Sequence, residues 1–309
     1  MPIYIYWLQA TIKEKLKMTI QLMTAQANVP IEFLQFSGGE RHIQLQPELL
    51  NQLQAHAQIT ASLNHSTDVM DYLLLENVLL EQGSRLSVEI PYFPYARQDR
   101  ICAQGQAFSL DLMTKLLNSN SEKFAGQRQK IVVWDCHSPK TIELLRKNTN
   151  FQEVINIEPI EIIQQSSTLM QILSADNTVL ICPDAGAIQR TQAIANGINS
   201  QRQQAIDIIH CEKQRDPNTG KIRAIAVNSP DLTGKTAVIT DDICDGGATF
   251  IGIAKQLRSL NCQNIILYVT HGIFSKGLAV FDGLVDQVFT SNSLPQAEAN
   301  KLNIINFQN

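Results

Sequence analysis

The sequence predicts an α/β protein built from two similar halves, each a largely parallel sheet flanked by helices. Strand-like and helix-like segments alternate along the 309 residues, a length sufficient for two domains. The strand-like segments are rich in Val, Ile and Leu, which is typical of parallel strands buried on both faces. The alternation restarts near Pro159. We therefore expect an N-terminal domain over residues 1–158 and a C-terminal domain over residues 159–309, whose tail is able to pack back on the first half.

In the first half, apolar runs bounded by turn residues predict strands, and helical spacing predicts helices. Strands are predicted at Thr19–Met23, Ile31–Phe36, Leu86–Phe93 and Ile131–Trp134, and helices at Asp71–Gln82, Ser109–Asn118 and Thr141–Lys147. Residues 1–17 are mixed in character and contain no clear signal-peptide cleavage site. Because Met18 precedes the first convincing strand, an upstream extension over residues 1–17 is one interpretation, and whether this segment is a genuine part of the protein stays open.

The second half repeats the alternation. Helices are predicted at Ile160–Leu173, Ile188–Ala195 and Phe250–Leu260, and strands at Thr178–Cys182, Ala205–His210, Ile222–Val227, Ala237–Ile239, Ile265–Val269 and Gln287–Thr290. The second of these helices is predicted to stop at Gly197, because glycine commonly ends helices. A polar tail is predicted after the last strand.

Composition narrows the class of protein. The chain is 44% hydrophobic and 17% charged with a formal net charge of −4, which argues against a general binder of nucleic acids or membrane surfaces. The six cysteines are scattered without a C-x-x-C pair, so we interpret them as reduced thiols rather than a disulfide framework or zinc site. No apolar run approaches the length of a membrane span. Together these observations predict a cytoplasmic protein.

The most informative stretch is DDICDGGAT, residues 241–249, which we call the central loop. An apolar strand leads into two adjacent acids, Asp241 and Asp242, and two glycines then precede a helix. The unpaired N–H groups of a helix N-terminus attract anions, and glycines let the backbone approach a phosphate closely. Thr249 adds a hydroxyl donor, whereas the two acids suit vicinal hydroxyls or a cation. The alternative is a tight turn with solvated acids, but the full pattern favours a sugar-phosphate site.

Other polar segments follow predicted strands, where open α/β sheets bind ligands. PYARQDR, residues 94–100, contains two arginines and an amide, and arginine suits bidentate phosphate contacts. DCHSP, residues 135–139, places His137 near an Asp, which favours a ligand role over a structural one. FSGGE, residues 36–40, is equally well explained as a plain hairpin turn.

The segment over residues 211–223, which we call the flap, is polar and rich in turn formers. It carries four cations, Lys213, Arg215, Lys221 and Arg223, on either side of D-P-N-T-G. Pro and Gly in that turn favour a reversal of the chain and hence two short strands. The flap is therefore either a solvated basic hairpin or a lid that brings cations to a polyanionic substrate.

In combination these motifs resemble the ribose-phosphate pyrophosphokinase family, the phosphoribosyl-pyrophosphate (PRPP) synthetases. FSGGE, PYARQDR, DCHSP, PDAGA, the KQR flap and the central loop occur in family order between Phe33 and Ser293. The central loop alone is similar to the PRPP loop that type I phosphoribosyltransferases share, and YARQDR distinguishes the family because simple phosphoribosyltransferases lack it. The resemblance implies two type I phosphoribosyltransferase-like domains. It also implies transfer of the pyrophosphoryl group of ATP to O1 of ribose 5-phosphate, giving PRPP and AMP for nucleotide or NAD synthesis.

The resemblance further implies roles for individual residues. ATP would be bound by Phe36, Gly38, Glu40, Arg97, Gln98, Asp99 and Arg100, and ribose 5-phosphate by Asp241, Asp242, Asp245, Gly246, Gly247, Ala248 and Thr249. The expected cofactor, Mg²⁺, would be held by His137, Asp184 and Asp135. Lys213 and Arg215 would be the catalytic cations. Because family members build the ATP pocket across a subunit interface, a dimer-based homo-oligomer, up to a hexamer, is expected.

The sequence departs from the family pattern in four places. Gly38 stands where an Asp is usual, ICAQGQAF replaces a basic run after ARQDR, an Asn-rich turn is absent and THGIFSKG differs from the common form. In one large class of the family, that basic run contributes to regulation by phosphate and ADP. Two alternatives stay open: a phosphoribosyltransferase that consumes PRPP, and a non-catalytic regulatory homologue. The ARQDR segment counts against the first, and retention of Lys213, Arg215 and His137 counts against the second.

Overall fold

The structure is a computed structural model that describes residues 19–24, 27–120, 124, 126–215 and 222–308. The segment interpreted as an extension, residues 1–17, and the predicted turn of the flap, residues 216–220, lie outside the described residues.

The described residues form strands and helices in alternation. The strands are β1 (Ile20–Met23), β2 (Asn28–Val29), β3 (Phe33–Gln35), β4 (Arg41–Ile43), β5 (Ala57–Ala61), β6 (Leu86–Ile90), β7 (Arg128–Trp134), β8 (Glu153–Ile157), β9 (Thr178–Cys182), β10 (Asp207–Arg215), β11 (Ile222–Val227), β12 (Thr236–Cys244), β13 (Asn264–Gly272), β14 (Gln287–Ser291) and β15 (Leu302–Ile305). The α-helices are α1 (Pro47–Leu53), α2 (Ser66–Glu81), α3 (Ser109–Leu116), α4 (Lys140–Asn148), α5 (Pro159–Ile163), α6 (Ser167–Ser174), α7 (Ile188–Asn199) and α8 (Ala248–Ser259). Short 3₁₀ helices occur at Ala185–Ala187 and Leu278–Phe281.

The first sheet has the strand order β2-β1-β5-β6-β7-β8. Strands β5 to β8 are parallel, and β1 and β2 run antiparallel at one edge. Every residue of β6 is buried, as expected for a central parallel strand covered on both faces. Helix α2 begins with a reciprocal cap, in which the backbone N–H of His65 donates to the carboxylate of Asp68.

The second sheet has the strand order β11-β10-β9-β12-β13-β14-β15. Its strands are parallel except for β11, which returns antiparallel to β10. Strand β9 is buried throughout, and β13 is buried after its first residue. As in the first sheet, the loops that follow the parallel strands emerge together at the carboxyl ends of those strands, where ligands bind in open α/β sheets.

An apolar cluster joins the two sheets. Its members from both sheets include Val132, Trp134, Ile157, Leu180, Val238 and Tyr268. Near the C-terminus, Phe307 packs edge-on against Trp134 of β7, with ring centroids 5.0 Å apart. This packing brings the loop after β7 close to the loop after β12, so the two sheets contribute to one cleft.

The predicted α/β class is confirmed, and so are the bounds of the strands at Thr178–Cys182 and Ile222–Val227. Sequence reasoning missed β5, β8 and β15, because each is short and has polar residues among its apolar ones. The segment predicted as a strand at Ile31–Phe36 is shorter and pairs only with β4, as a separate two-stranded hairpin rather than as part of a sheet.

The helix predicted over residues 160–173 is wrong as a single element. It is divided into α5 and α6, because the side chain of Ser166 accepts a hydrogen bond from the backbone N–H of Leu169 and starts a new helix.

The predicted stop at Gly197 is also wrong, since α7 continues to Asn199. Gly197 serves helix packing instead: a Cβ at this position would overlap the side chain of Ile160 in α5.

Candidate functional site

A cleft of about 530 Å³ opens at the carboxyl ends of the parallel strands, between the two sheets. Its walls come from the segments after β6, β7 and β9, from the start of α7, from the central loop and from the segment after β13. The first two segments belong to the first half of the chain and the others to the second. The cleft therefore collects most of the motifs that the sequence singled out.

The central loop leads from strand β12 directly into helix α8. Strand β12 extends to Cys244, further than the predicted Ala237–Ile239, so the two adjacent acids lie within the strand. Gly247 has a φ of +75°, and a Cβ there would lie 2.8 Å from Cζ of Phe281. Ala248 and Thr249, the first residues of α8, line the cleft. The unpaired N–H groups of this helix end are thus available to an anion in the cleft.

A buried arginine forms ion pairs with three carboxylates beside the cleft. Nε of Arg190, in the first turn of α7, donates to Oδ1 of Asp135 at 2.7 Å. Its Nη1 lies 3.7 Å from Asp241 and 3.8 Å from Asp242, and Nη2 donates to the carbonyl oxygen of Cys136 at 3.2 Å. The Arg190 side chain is only 10% exposed, so solvent screens these interactions weakly. One cation thereby ties acids of both halves together.

The two adjacent acids have different environments. Nδ1 of His137 lies 2.7 Å from Oδ2 of Asp242. Burial opposes ionisation of Asp242, but the hydrogen bond with His137 and the charge of Arg190 outweigh it and lower the pKa of Asp242. The same hydrogen bond raises the pKa of His137. Burial and the neighbouring charge of Asp242 raise the pKa of Asp241 well above its ordinary value. Asp242 therefore ionises more readily than Asp241.

The third acid of the central loop connects it to the first half of the chain. Ser275 Oγ donates to Oδ1 of Asp245 at 2.6 Å, and Nη1 of Arg97 lies 3.3 Å from Oδ2. The hydrogen bond from Ser275 and the arginine lower the pKa of Asp245. Arg97 thus lies next to the central loop, although it precedes Asp245 by 148 residues.

The three residues assigned to a metal have different surroundings. His137 and Asp184 line the cleft, and Asp184 accepts hydrogen bonds from the N–H groups of Gly186 and Ala187. Asp135 is 3% exposed and does not line the cleft. Its two carboxylate oxygens accept hydrogen bonds from Arg190 and from Thr270. In the part of the chain that the structure describes, no group of three or more His, Cys, Asp and Glu residues is arranged to hold a metal ion.

The residues assigned to ATP are divided between two places. Arg97, Asp99 and Arg100 line the cleft, whereas Gln98 does not. The other three, Phe36, Gly38 and Glu40, lie at the turn of the β3–β4 hairpin and do not line the cleft. The Phe36 side chain is 56% exposed and its ring lies 5.7 Å from that of His42.

The residues assigned to catalysis lie on β10. The backbone of Lys213 pairs with that of Ile225, and Arg215 pairs with Ile222, in the antiparallel register of β10 and β11. The predicted pair of short strands in the flap is confirmed. The structure describes the backbone of Lys213 and Arg215 but not their side chains, so their catalytic role stays a prediction.

Comparison with known proteins adds to this geometry. A family model described as phosphoribosyl transferase domain matches residues 155–287. A ribose-phosphate pyrophosphokinase from Pyrococcus abyssi is 28% identical over 285 residues, covering 90% of this chain and 89% of that protein. A ribose-phosphate pyrophosphokinase from Mycoplasmopsis pulmonis is 30% identical over 250 residues, covering 79% of this chain and 71% of that protein. The chain belongs to the ribose-phosphate pyrophosphokinase family.

The fold agrees with that of a solved structure connected with the family. The crystal structure of phosphoribosylpyrophosphate synthetase from Mycobacterium smegmatis superposes with a TM-score of 0.72 at 21% identity, covering 90% of this chain and 86% of that one. The chain therefore has the fold expected for a ribose-phosphate pyrophosphokinase, with one large sheet in each half. None of the described helices combines the length and the hydrophobicity needed to cross a bilayer.

Sequence reasoning missed two cations of the cleft. Arg190 and Lys276 both line it, but neither belongs to a motif that was assigned a role from the sequence. Arg190 comes six residues after Asp184, at the start of the helix that follows PDAGA, and this position could have placed it at the same edge of the sheet. Lys276 lies in THGIFSKG, a segment that departs from the family pattern.

Proposed function

We propose that the protein is a ribose-phosphate diphosphokinase that transfers the pyrophosphoryl group of ATP to O1 of ribose 5-phosphate. The main observation in support of this proposal is that one cleft contains a helix N-terminus, a pair of adjacent acids and two arginines of the ARQDR segment. The helix N-terminus suits a phosphate, the acids suit ribose hydroxyls, and the arginines suit a polyphosphate. This combination serves a sugar phosphate and a nucleoside triphosphate together.

Ribose 5-phosphate is assigned to the central loop. Its phosphate binds at the start of α8, against the backbone of Gly246 to Thr249, and its ring hydroxyls bind at Asp241 and Asp242. The lowered pKa of Asp242 supports this assignment, because a carboxylate accepts hydrogen bonds from vicinal hydroxyls. Arg190 would keep both acids in position.

ATP is assigned to Arg97, Asp99 and Arg100 on the cleft side, and the β3–β4 hairpin would bind adenine through Phe36. The hairpin carries an exposed aromatic ring outside the cleft of its own chain. We therefore propose that a second copy of the chain supplies it, so that the complete ATP site requires a homo-oligomer, dimer-based and up to a hexamer. Light scattering tests this: a fully active monomer would contradict it.

The donor set fits Mg²⁺ delivered with the substrate. Mg²⁺ keeps several waters and usually takes one or two carboxylates together with substrate phosphates. The small number of metal-binding side chains in the cleft is consistent with this coordination. Asp184 and Nε2 of His137 would hold it, with Asp242 orienting the imidazole through Nδ1. Asp135 has both oxygens engaged by the protein, so we assign it to positioning Arg190. Bound Mg²⁺ supplies neutralisation of the phosphate charge.

The transfer itself depends on positioning and on charge stabilisation more than on covalent help. The O1 hydroxyl attacks the β-phosphorus of ATP in line. The bond between the β-phosphorus and the oxygen that bridges it to the α-phosphorus breaks, and AMP leaves with that oxygen. Lys213 and Arg215 of the flap would face the charge that develops on the transferred group. We also propose that this takes place in the cytoplasm, whose reducing conditions suit the free cysteines.

The deciding experiment is incubation of the purified protein with ATP, ribose 5-phosphate and Mg²⁺, followed by ³¹P NMR. Formation of AMP and PRPP in equal amounts supports the proposal, whereas the absence of both removes it. Incubation with PRPP and nucleobases tests the phosphoribosyltransferase alternative in parallel.

Loss of a flap cation provides the second test. Lys213→Ala is expected to reduce kcat by roughly 10²-fold or more, the scale of losing one preorganised charge-stabilising donor, with little change in the KM for ATP. Arg215→Ala should behave similarly. Steady-state kinetics measures both, and unchanged turnover in both variants would remove the flap from the mechanism.

A further inference from the structure

Lys276 is a cleft-lining cation to which the proposed function gives no role. It follows β13, and its side chain lies beside Gly246 of the central loop. A Cβ built at Gly246 would lie 3.4 Å from Cε of Lys276 and 3.6 Å from Cδ. The ammonium group is one bond beyond Cε. It therefore lies close to the backbone that leads into α8.

The neighbouring acid already has other partners. Asp245 accepts a hydrogen bond from Ser275 and forms its ion pair with Arg97. Among the residues that the structure describes, the ammonium of Lys276 forms neither an ion pair nor a hydrogen bond. Lys276 thus provides a positive charge in the cleft that no carboxylate of the described residues contacts.

The charge balance of the central loop calls for such a cation. A phosphate monoester carries about 1.5 to 2 negative charges near pH 7, whereas a helix N-terminus supplies only about half a positive charge. The loop itself contains three acids and no lysine or arginine. Arg190 is bound to Asp135 and lies beside the acid pair, so its charge is already compensated.

We propose that Lys276 binds the 5-phosphate of ribose 5-phosphate and is a specificity-determining residue for phosphorylated ribose. The inference rests on the proposed function, which assigns that phosphate to the start of α8. The aliphatic part of the side chain packs over Gly246, and the ammonium group donates to the phosphate oxygens. A Cβ at position 246 would be in ordinary van der Waals contact with this aliphatic part, so the lysine side chain lies directly beside the loop backbone.

Isothermal titration with ribose 5-phosphate tests the proposal, in the presence of Mg²⁺ and α,β-methylene ATP, whose bridge between the α- and β-phosphorus is not cleaved. The variants are Lys276→Gln, which removes the charge, and Lys276→Arg, which retains it. Lys255→Gln is the matched control, because Lys255 is exposed on α8 but does not line the cleft. Each variant is also titrated with the ATP analogue alone.

Lys276→Gln is expected to bind ribose 5-phosphate about tenfold more weakly than the wild type, the scale of one lost charge-assisted hydrogen bond. Lys276→Arg should recover most of the affinity, Lys255→Gln should bind like the wild type, and affinity for the ATP analogue should stay unchanged in all three. In turnover, the KM for ribose 5-phosphate should rise in Lys276→Gln while kcat changes little.

The experiment distinguishes failure of the Lys276 inference from failure of the proposed function. If the wild type forms PRPP and Lys276→Gln binds ribose 5-phosphate equally well, the inference is wrong and the proposed function stands. Equal loss of affinity for ribose 5-phosphate and for the ATP analogue would also overturn the inference. If the wild type binds ribose 5-phosphate in a Lys276-dependent way but forms no PRPP, the proposed function is wrong and the phosphate contact stands. Absence of any ribose 5-phosphate binding by the wild type would remove both.

Discussion

The central loop and the β3–β4 hairpin are the two ends of the proposed substrate site, and they differ in how much of their environment one chain supplies. The central loop is held by Arg190, by Ser275 and by the packing of Phe281 against Gly247. The hairpin turn instead exposes Phe36 to solvent and contributes nothing to the cleft. The proposed sugar-phosphate end is therefore formed within a single chain, whereas the proposed adenine end would need a second copy of the chain.

The largest effect should come from removing Arg190, which would break the preformed end. Arg190→Met leaves Asp135 and Asp242 buried, and Asp241 partly buried, without their cation. The free energy of unfolding should fall by about 3 kcal/mol and kcat/KM by about 10³-fold. Chemical denaturation and steady-state kinetics measure the two effects.

Arg258→Met is the control for that variant. Nη2 of Arg258 donates to both carboxylate oxygens of Asp286, and neither residue lines the cleft. Its loss should reduce stability while leaving kcat/KM near the wild-type value. Equal catalytic losses in the two variants would show that Arg190 acts only through general stability.

Gly247→Val should weaken ribose 5-phosphate binding far more than ATP binding. Valine is strained at a φ of +75° by about 1–3 kcal/mol, and its side chain would also meet Phe281. Gly234→Val is a matched control, because Gly234 has the same φ of +75° but open space around its Cβ. Titration of each ligand tests this: if both variants lost both ligands equally, the effect would be misfolding rather than a damaged phosphate site.

Phe36→Ala tests the other end of the comparison. We expect roughly tenfold weaker binding of the ATP analogue, the scale of one lost base–aromatic stacking contact. Ribose 5-phosphate binding and thermal stability should stay unchanged because the ring is exposed. Leu34→Ala, an exposed apolar truncation in the same hairpin, should leave nucleotide affinity intact. Unaltered nucleotide binding in Phe36→Ala would show that this hairpin has no part in the site.

The smallest expected effect is a change in the pH dependence of stability through His137. The hydrogen bond to Asp242 raises the pKa of His137 above its ordinary 6.5. The resulting stabilisation is fully present below pH 6.5 and is lost as the pH rises through the raised value. Between pH 6 and 9, the free energy of unfolding of His137→Gln should therefore fall less than that of the wild type. Equilibrium denaturation at several pH values measures this, with the exposed His210→Gln as control; parallel curves for wild type and His137→Gln would contradict it.

Local patterns made the central loop predictable, whereas long-range packing hid the residues that support it. A strand, two glycines and a helix are adjacent in sequence, so a phosphate site could be predicted from neighbouring residues alone. Arg190 has its role because α7 packs beside loops from both halves, and no local signal specifies which acids it meets. The same reason explains Gly197, which resembles a helix stop but in fact accommodates Ile160 across a helix pair. It also explains β15, whose pairing with β14 is not apparent in a polar tail.

Trp134 is an intrinsic fluorescence probe of the apolar cluster that joins the two sheets. Its indole N–H donates to the buried carboxylate of Glu89, and its ring contacts Phe307 within the cluster that joins the two sheets. The other tryptophan, Trp7, lies outside the described residues. In a Trp7→Phe background, fluorescence would come from Trp134 alone, and separation of the sheets would wet the indole and shift its emission to longer wavelength. Unfolding within either half could then be told apart from parting of the two halves, by comparing this signal with circular dichroism.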